Sequence, residues 1–191
     1  MRMVFGLLLI LGFLGCNKEV ENNTKLELTV LDQNGRPAEG INVKLFKYFV
    51  QYIDNVSEMS KGITNEKGIV TFSNLDTIMY YFSPINGCLN NYLEEIRSIV
   101  LKEGITNTIT TRLHQTAKVS IINNTTNTYI ISFNGISILY IGSKEKSVTR
   151  NIMPTGKVNV RVEQQNFSMF PIDTTFIIEA ECNSNESIVI P

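Results

Sequence analysis

The sequence predicts an all-β protein, two tandem β-sandwiches behind a short export leader. Three observations carry this. Apolar residues recur at every second position in short runs, separated by turns rich in Asn, Gly and Pro, the pattern of half-buried strands. Ile, Val, Thr, Tyr and Phe, which favour strands, are plentiful, and so is Asn, which favours turns. Trp is absent and Ala scarce, which disfavours a helical bundle.

The leader comes first. From Val4 to Leu14 almost every residue is apolar, Gly6 and Gly12 excepted. A membrane-spanning helix needs roughly 20 such residues, so this run is too short to cross a bilayer. Arg2 before it and Gly15 after it describe a secretory signal. The next residue is Cys16. Phe13, Leu14, Gly15 and Cys16 resemble the lipobox of bacterial lipoproteins, with Phe13 departing from the usual Leu. The resemblance implies a signal peptide over residues 1–15 and a membrane partner reached through acyl chains on Cys16. Each buried CH₂ contributes about 0.8 kcal/mol, and two chains already anchor stably. An ordinary cleaved signal with a chance cysteine is the alternative. Residues 16–24 are polar and without apolar period, and they read as a lipidated tether. The expected location is the cell envelope, lipid-anchored at the outer membrane, on either its periplasmic or its surface side.

Charge excludes one class of partner. The formal net charge is −1 and no basic cluster stands out, so no nucleic acid partner is expected. Beyond Cys16 there are two cysteines, Cys88 and Cys182. In an exported chain they either bridge, clamping two domains together, or stay as buried thiols.

Residues 25–115 form the first expected sandwich. Leu26, Leu28 and Val30 share one face of a strand, and Ile41, Val43 and Leu45 share one face of the next. Val70 and Phe72 point inward after the turn "NEKG". "TIMYYFSPI", "EIRSIVLKEG" and "TNTITTRLHQ" read as further strands, about seven in all. Asp32, Gly35, Pro37, Gly40, Val43, Thr64, Gly68 and Phe72 resemble the pattern of the carboxypeptidase regulatory-like, or transthyretin-like, sandwich. That family is a scaffold module, so the resemblance implies a fold and little about function. Two stretches depart from the simple pattern. "FKYFVQYIDNVSEMS" carries Phe46, Tyr48, Phe49, Tyr52 and Ile53, and "NGCLNNYLEE" carries Leu89, Tyr92 and Leu93. Tyr48, Phe49 and Tyr52 are candidates for a binding loop, or else their aromatics cover an open end of the core.

Residues 116–191 form a second, smaller, Ig-like sandwich of six or seven strands. Tyr129, Ile131 and Phe133 lead into Asn134-Gly135, which suits a type I′ hairpin turn. Val158, Val160 and Val162 form an inward set beyond a corner at Pro154 and Gly156. "QQNFSMFPID" is the outlier, because Phe167, Met169 and Phe170 stand where polar turn residues are expected. This loop either contacts a partner or packs on the first sandwich.

Catalytic chemistry is not visible. His114 is the one histidine, and a Ser-His-Asp or Cys-His nucleophile would need it as the base. Glu94-Glu95 and Glu179-Glu181 are paired carboxylates on surfaces expected to be solvated. "DQNGR" suits a tight turn as well as a calcium loop. Sandwiches of the collagen-adhesin B type form Lys–Asn isopeptide bonds beside a buried acid. Lys44 would be the lysine to test here, although alternation points it outward. No cofactor, no metal and no enzymatic activity are expected. The function this implies is a non-catalytic binding or structural module of the envelope, contacting a protein or a glycan. The alternative is a fimbrial or other assembly subunit that joins its neighbours by strand pairing.

Overall fold

The computed structural model describes residues 23–145, 150–165 and 173–191. Strands dominate, with one short helix. In chain order they are β1 (Lys25–Leu31), β2 (Asn42–Phe46), helix α1 (Phe49–Asp54), β3 (Ser60–Ile63), β4 (Ile69–Phe72), β5 (Tyr81–Asn86), β6 (Leu89–Asn90) and β7 (Thr106–Arg112). Then follow β8 (His114–Asn123), β9 (Tyr129–Phe133), β10 (Ile136–Ile141), β11 (Arg150–Pro154), β12 (Gly156–Gln164), β13 (Asp173–Ala180) and β14 (Asn185–Ile190). The fold is all-β and sandwich-like. No helix among the described residues is long and apolar enough to cross a membrane.

Three sheets carry the strands. One has the order β4-β1-β7 and another β10-β9-β12-β13. The third, of seven strands, runs β11-β8-β6-β5-β2-β3, with β14 also pairing β8. Alternation decides which residues meet between sheets. Leu26, Leu28 and Val30 of β1 join Val43 and Leu45 of β2, Val70 and Phe72 of β4 and Phe82 of β5 in one buried cluster. A second cluster gathers Val119 and Ile121 of β8, Tyr129, Ile131 and Phe133 of β9, the three valines of β12, and Ile188 and Ile190 of β14. Each buried side chain of this size contributes roughly 1.5–3 kcal/mol over leaving it in water.

The two clusters share a topological device. β1, the first strand, pairs parallel with β7, Leu26 opposite Asn107 and Val30 opposite Thr111. β8 pairs parallel with the last strand, β14, with Ile121 opposite Ile188. β8 itself is continuous from His114 to Asn123, running through the position between residues 115 and 116. Its start pairs with β6, Asn90 opposite His114, and its remainder with β11 and β14.

The turn residues singled out in the sequence have structural tasks. Asp32 Oδ1 accepts from the amides of Asn34 and Arg36, at 2.8 and 2.9 Å, closing an Asx-type turn that accounts for "DQNGR". Gly68, at φ +71°, accepts at its carbonyl from the Val30 amide while its own amide donates to Asn65, and a Cβ there would lie 2.5 Å from the Val30 carbonyl oxygen. Thr64 Oγ1 donates to the Ala38 carbonyl at 2.6 Å and accepts from the Ile41 amide at 2.9 Å. So Gly35, Pro37, Gly40, Thr64 and Gly68 belong to one hydrogen-bonded corner. Asn134 and Gly135 both have positive φ, as the predicted type I′ turn requires.

One expected strand is different. "EIRSIVLKEG" is irregular, touching β5 only through a single bridge between Tyr81 and Arg97. The Ser98 amide donates to the Tyr80 carbonyl at 2.7 Å, but the chain then turns so that Leu101 donates to Ile78. Alternation alone does not make a strand when no neighbour continues the ladder. Ile99 and Val100 are left exposed as a result.

Candidate functional site

The two stretches that depart from the simple strand pattern meet at one groove. The first folds as α1. Its last turn closes on Asn55 in the left-handed region (φ 52°), a conformation Asn tolerates well. α1 lies against the seven-stranded sheet through an aromatic cluster. Tyr52 stacks on Tyr81 with ring centroids 6.0 Å apart and meets Phe46 edge-on at 6.1 Å, while Phe49 lies 5.4 Å from Tyr81. Tyr52 is only 8% exposed, whereas Tyr48 and Phe49 are more than half exposed.

The second stretch fastens the two core clusters to each other. β6 is its short strand, and Tyr92 packs against the cluster built from β8–β14 while its hydroxyl donates to the Ile138 carbonyl at 3.3 Å. Asn90 Nδ2 donates to Thr116 Oγ1 at 2.8 Å and to the Asn151 carbonyl at 2.7 Å. Cys88 is bonded to Cys182, in the turn between β13 and β14. The bridge thus joins the two halves of the chain, resolving the two alternatives for these cysteines. Tyr92 thus packs against the second cluster and also lines the groove described next.

Between α1 and this junction is a cavity of about 430 Å³. Its apolar walls include Ile53, Ile85, Ile152 and the ring of Tyr52. Its polar lining includes Ser83, Asn91, Lys118 and Asn151, drawn from β5, the segment after β6, β8 and β11. Asn91 is committed to the fold, donating to the Glu95 and Phe82 carbonyls. The Ser83 hydroxyl, the Lys118 ammonium and the Asn151 side-chain amide make no hydrogen bond among the described residues. Burial, and secondarily Tyr92, hold the Tyr52 phenol well above its ordinary pKa, so it is neutral through the physiological range. It too lacks a hydrogen-bond partner among the described residues.

The other sequence candidates fall out as follows. Cys16, Phe167, Met169 and Phe170 lie outside the described residues. His114 is half-buried with its Nε2 2.8 Å from Glu94 Oε1, so Glu94 is engaged in a hydrogen bond at the sheet junction. Glu179 and Glu181 are exposed. Lys44 donates to Asn55 Oδ1 at 3.2 Å with Glu58 at 4.0 Å, on a solvated face. Among the described residues, no three His, Cys, Asp or Glu side chains converge to hold a metal. Of the groove's lining, sequence reasoning singled out Tyr52, Ile53 and Tyr92 but not Ser83, Asn91, Lys118 and Asn151. Those four come from separate elements and share no motif; the interruptions of the strand pattern were the one available signal.

No protein-family model matches the chain, and no curated protein matches it. Among solved structures, it is similar to the shaft pilin SpaA of Lactobacillus rhamnosus GG at 12% identity and a TM-score of 0.38, covering 87% of this chain and 97% of that one. A Streptococcal ancillary pilin gives 12% identity and a TM-score of 0.39, with 90% and 63% covered. The TIE protein of Bacillus anthracis gives 16% and 0.36, with 88% of this chain but only 33% of that one covered. At these values the fold rests on the strand pairings above and not on the likeness.

Proposed function

We propose that this chain is a non-catalytic binding module held in the cell envelope by acyl chains on Cys16, and that the groove between α1 and the sheet junction is its ligand site. Two sandwiches, residues 25–115 and 116–191, make up the folded part behind a signal peptide (1–15) and tether (16–24). The lipobox-like residues Phe13 to Cys16 support the anchor, and the turn residues shared with carboxypeptidase regulatory-like modules support a scaffold role for the first sandwich.

The observation that carries the binding role is the groove's unspent polarity. Ser83, Lys118, Asn151 and the Tyr52 phenol present donors and acceptors beside isoleucine walls, in a cavity of a size that suits a small ligand. Hydroxyl and amide groups over an aromatic and aliphatic floor, with Lys118 and Asp54 of opposite charge also on the lining, suit a glycan. The test is a glycan array probed with the full chain in detergent, beside a Ser83→Trp variant that fills the groove from an outward strand position. Binding that disappears in the variant supports the site. Equal binding by both, or none to any glycan, removes it.

A second reading has its own observation. In the described residues the sheet β10-β9-β12-β13 ends on β10 and β13 without further partners, and Ile136, Tyr140 and Ile177 are exposed there. Open apolar edges invite another strand, as an assembly subunit requires. Size-exclusion chromatography discriminates, since monomers favour the binding module and strand-joined polymers favour assembly.

A further inference from the structure

We infer that the loops around the start of β1 form an apolar surface that rests in the lipid interface, so that the first sandwich sits on the membrane instead of dangling above it. The inference deepens the anchored reading above and rests on it. Among the described residues, six of the thirteen exposed large hydrophobics fall in two segments, Tyr48, Phe49 and Val50 at the start of α1 and Ile99, Val100 and Ile105 in the irregular stretch before β7.

A chain of polar contacts shows that these segments share one end of the sheets. Lys47, next to Tyr48, donates to Asp76 Oδ2 at 3.1 Å. The amide of the adjacent Leu75 donates to the Thr24 carbonyl at 3.1 Å. Thr24 Oγ1 accepts from the Gly104 amide at 2.9 Å, and the Lys25 amide donates to the Ile105 carbonyl at 3.0 Å. Thr24 is therefore the hub of the apolar end.

It is also where the tether enters the fold. Cys16 precedes Thr24 by eight positions, and a chain of that length reaches at most about 28 Å even when fully extended. Anchored at Cys16, this end cannot leave the bilayer's vicinity, while the strands lead away from it toward β8 and the second cluster. Exposed apolar side chains gathered at one end of a fold normally have a partner. Here the partner that the tether length enforces is the lipid surface, where aromatic side chains are at home.

The chain has no Trp, so one introduced Trp reports alone. The full chain is reconstituted into vesicles of phosphatidylethanolamine and phosphatidylglycerol whose acyl chains are brominated. Phe49→Trp is expected to be quenched several-fold more than Ile177→Trp, which reports from β13, and to lose much of that quenching when Ile99→Ser and Val100→Ser are added. Equal quenching at both positions, or none at Phe49→Trp, overturns the inference. So does a dimer that Phe49→Ser dissociates, which would make a second copy the partner. Intact mass separates the two claims. A chain without acyl mass removes the anchor, and the same quenching on chain mixed with vesicles still decides whether this end meets lipid.

Discussion

The side-chain amide of Asn90 donates to the backbone carbonyl of Asn151 at 2.7 Å, across the junction between the two core clusters. Asn90 is buried and also donates to Thr116 Oγ1, while its Oδ1 accepts from the Tyr92 amide at 3.0 Å. A two-residue strand thereby becomes the polar node through which both halves are held. Replacing Asn90 with Leu leaves these groups without their partners at the largely buried edge of the groove. The expected loss is about 2–3 kcal/mol, within the range for unsatisfied buried polar groups, read as a lower urea midpoint.

The Cys88–Cys182 bridge closes a loop across 94 positions. In the chain-entropy account such a loop contributes about 4–5 kcal/mol by restricting the unfolded chain. The Cys88→Ser, Cys182→Ser pair is expected to lose much of this and to unfold in two steps, the β8–β14 cluster separating from the other. A single transition with an unchanged midpoint would show that the bridge contributes nothing.

Gly68 and Gly40 both have φ above +70°, yet they differ in surroundings. A Cβ on Gly68 meets Val30 O at 2.5 Å and Ala38 N at 3.0 Å, whereas a Cβ on Gly40 meets nothing within 4 Å. Gly40→Ala should cost about 1–2 kcal/mol, the backbone strain alone. Gly68→Ala should cost distinctly more, because the corner must open. Thermal melts of the two variants under one buffer check the order.

Alkaline stability should turn on two tyrosines. Burial is the first cause that raises the pKa of Tyr52, and also that of Tyr80, whose hydroxyl accepts from the Asp76 amide. In the unfolded chain both ionise near pH 10. Above that pH the unfolded state gives up protons that the folded state retains, so stability is full below about pH 10 and falls as pH rises beyond it. Tyr52→Phe should flatten this decline. Asp173 works in the opposite sense at the acid end. The two hydrogen bonds from Arg161 hold its carboxyl below the usual range, so its contribution is present above the ordinary Asp pKa and fades as pH falls through the lowered one. The pair is exposed, so that effect is small.

An intact-mass measurement tests the Lys44 chemistry. Lys44 and Asn55 meet on a solvated face, and the acid beside them, Glu58, is not buried. The mass should show no loss of ammonia. A loss of one ammonia, mapped to Lys44 and Asn55, would overturn this.

Period-two patterning located β1, β2, β4, β7, β9 and β12 because each has one buried face, and only that face reveals itself in a sequence. The same patterning misled at Ile96, Ser98 and Val100, where Ser98 is buried but its hydroxyl bonds the Tyr80 amide at 2.9 Å and no ladder follows. Sheet order lay beyond the sequence, since the parallel pairing of β1 with β7 joins residues some eighty positions apart. The groove was half legible. Tyr52 stood out as an aromatic in an unexpected place, but Ser83 and Asn151 look like any outward strand residues until β8 brings their strands together.

The parallel pairings of β1 with β7 and of β14 with β8 bear on how the fold responds to tension. A pull between a tethered leading end and the far terminus draws β1 back along β7, while the Cys88–Cys182 bridge spares the chain between those two cysteines from carrying the tension. The pull likewise sets β14 against β8. In both pairs the bonds are strained together in shear instead of being peeled one at a time. A protein leashed at one end and gripped at the other would therefore resist extension along the whole length of its outermost ladders before either sheet gave way.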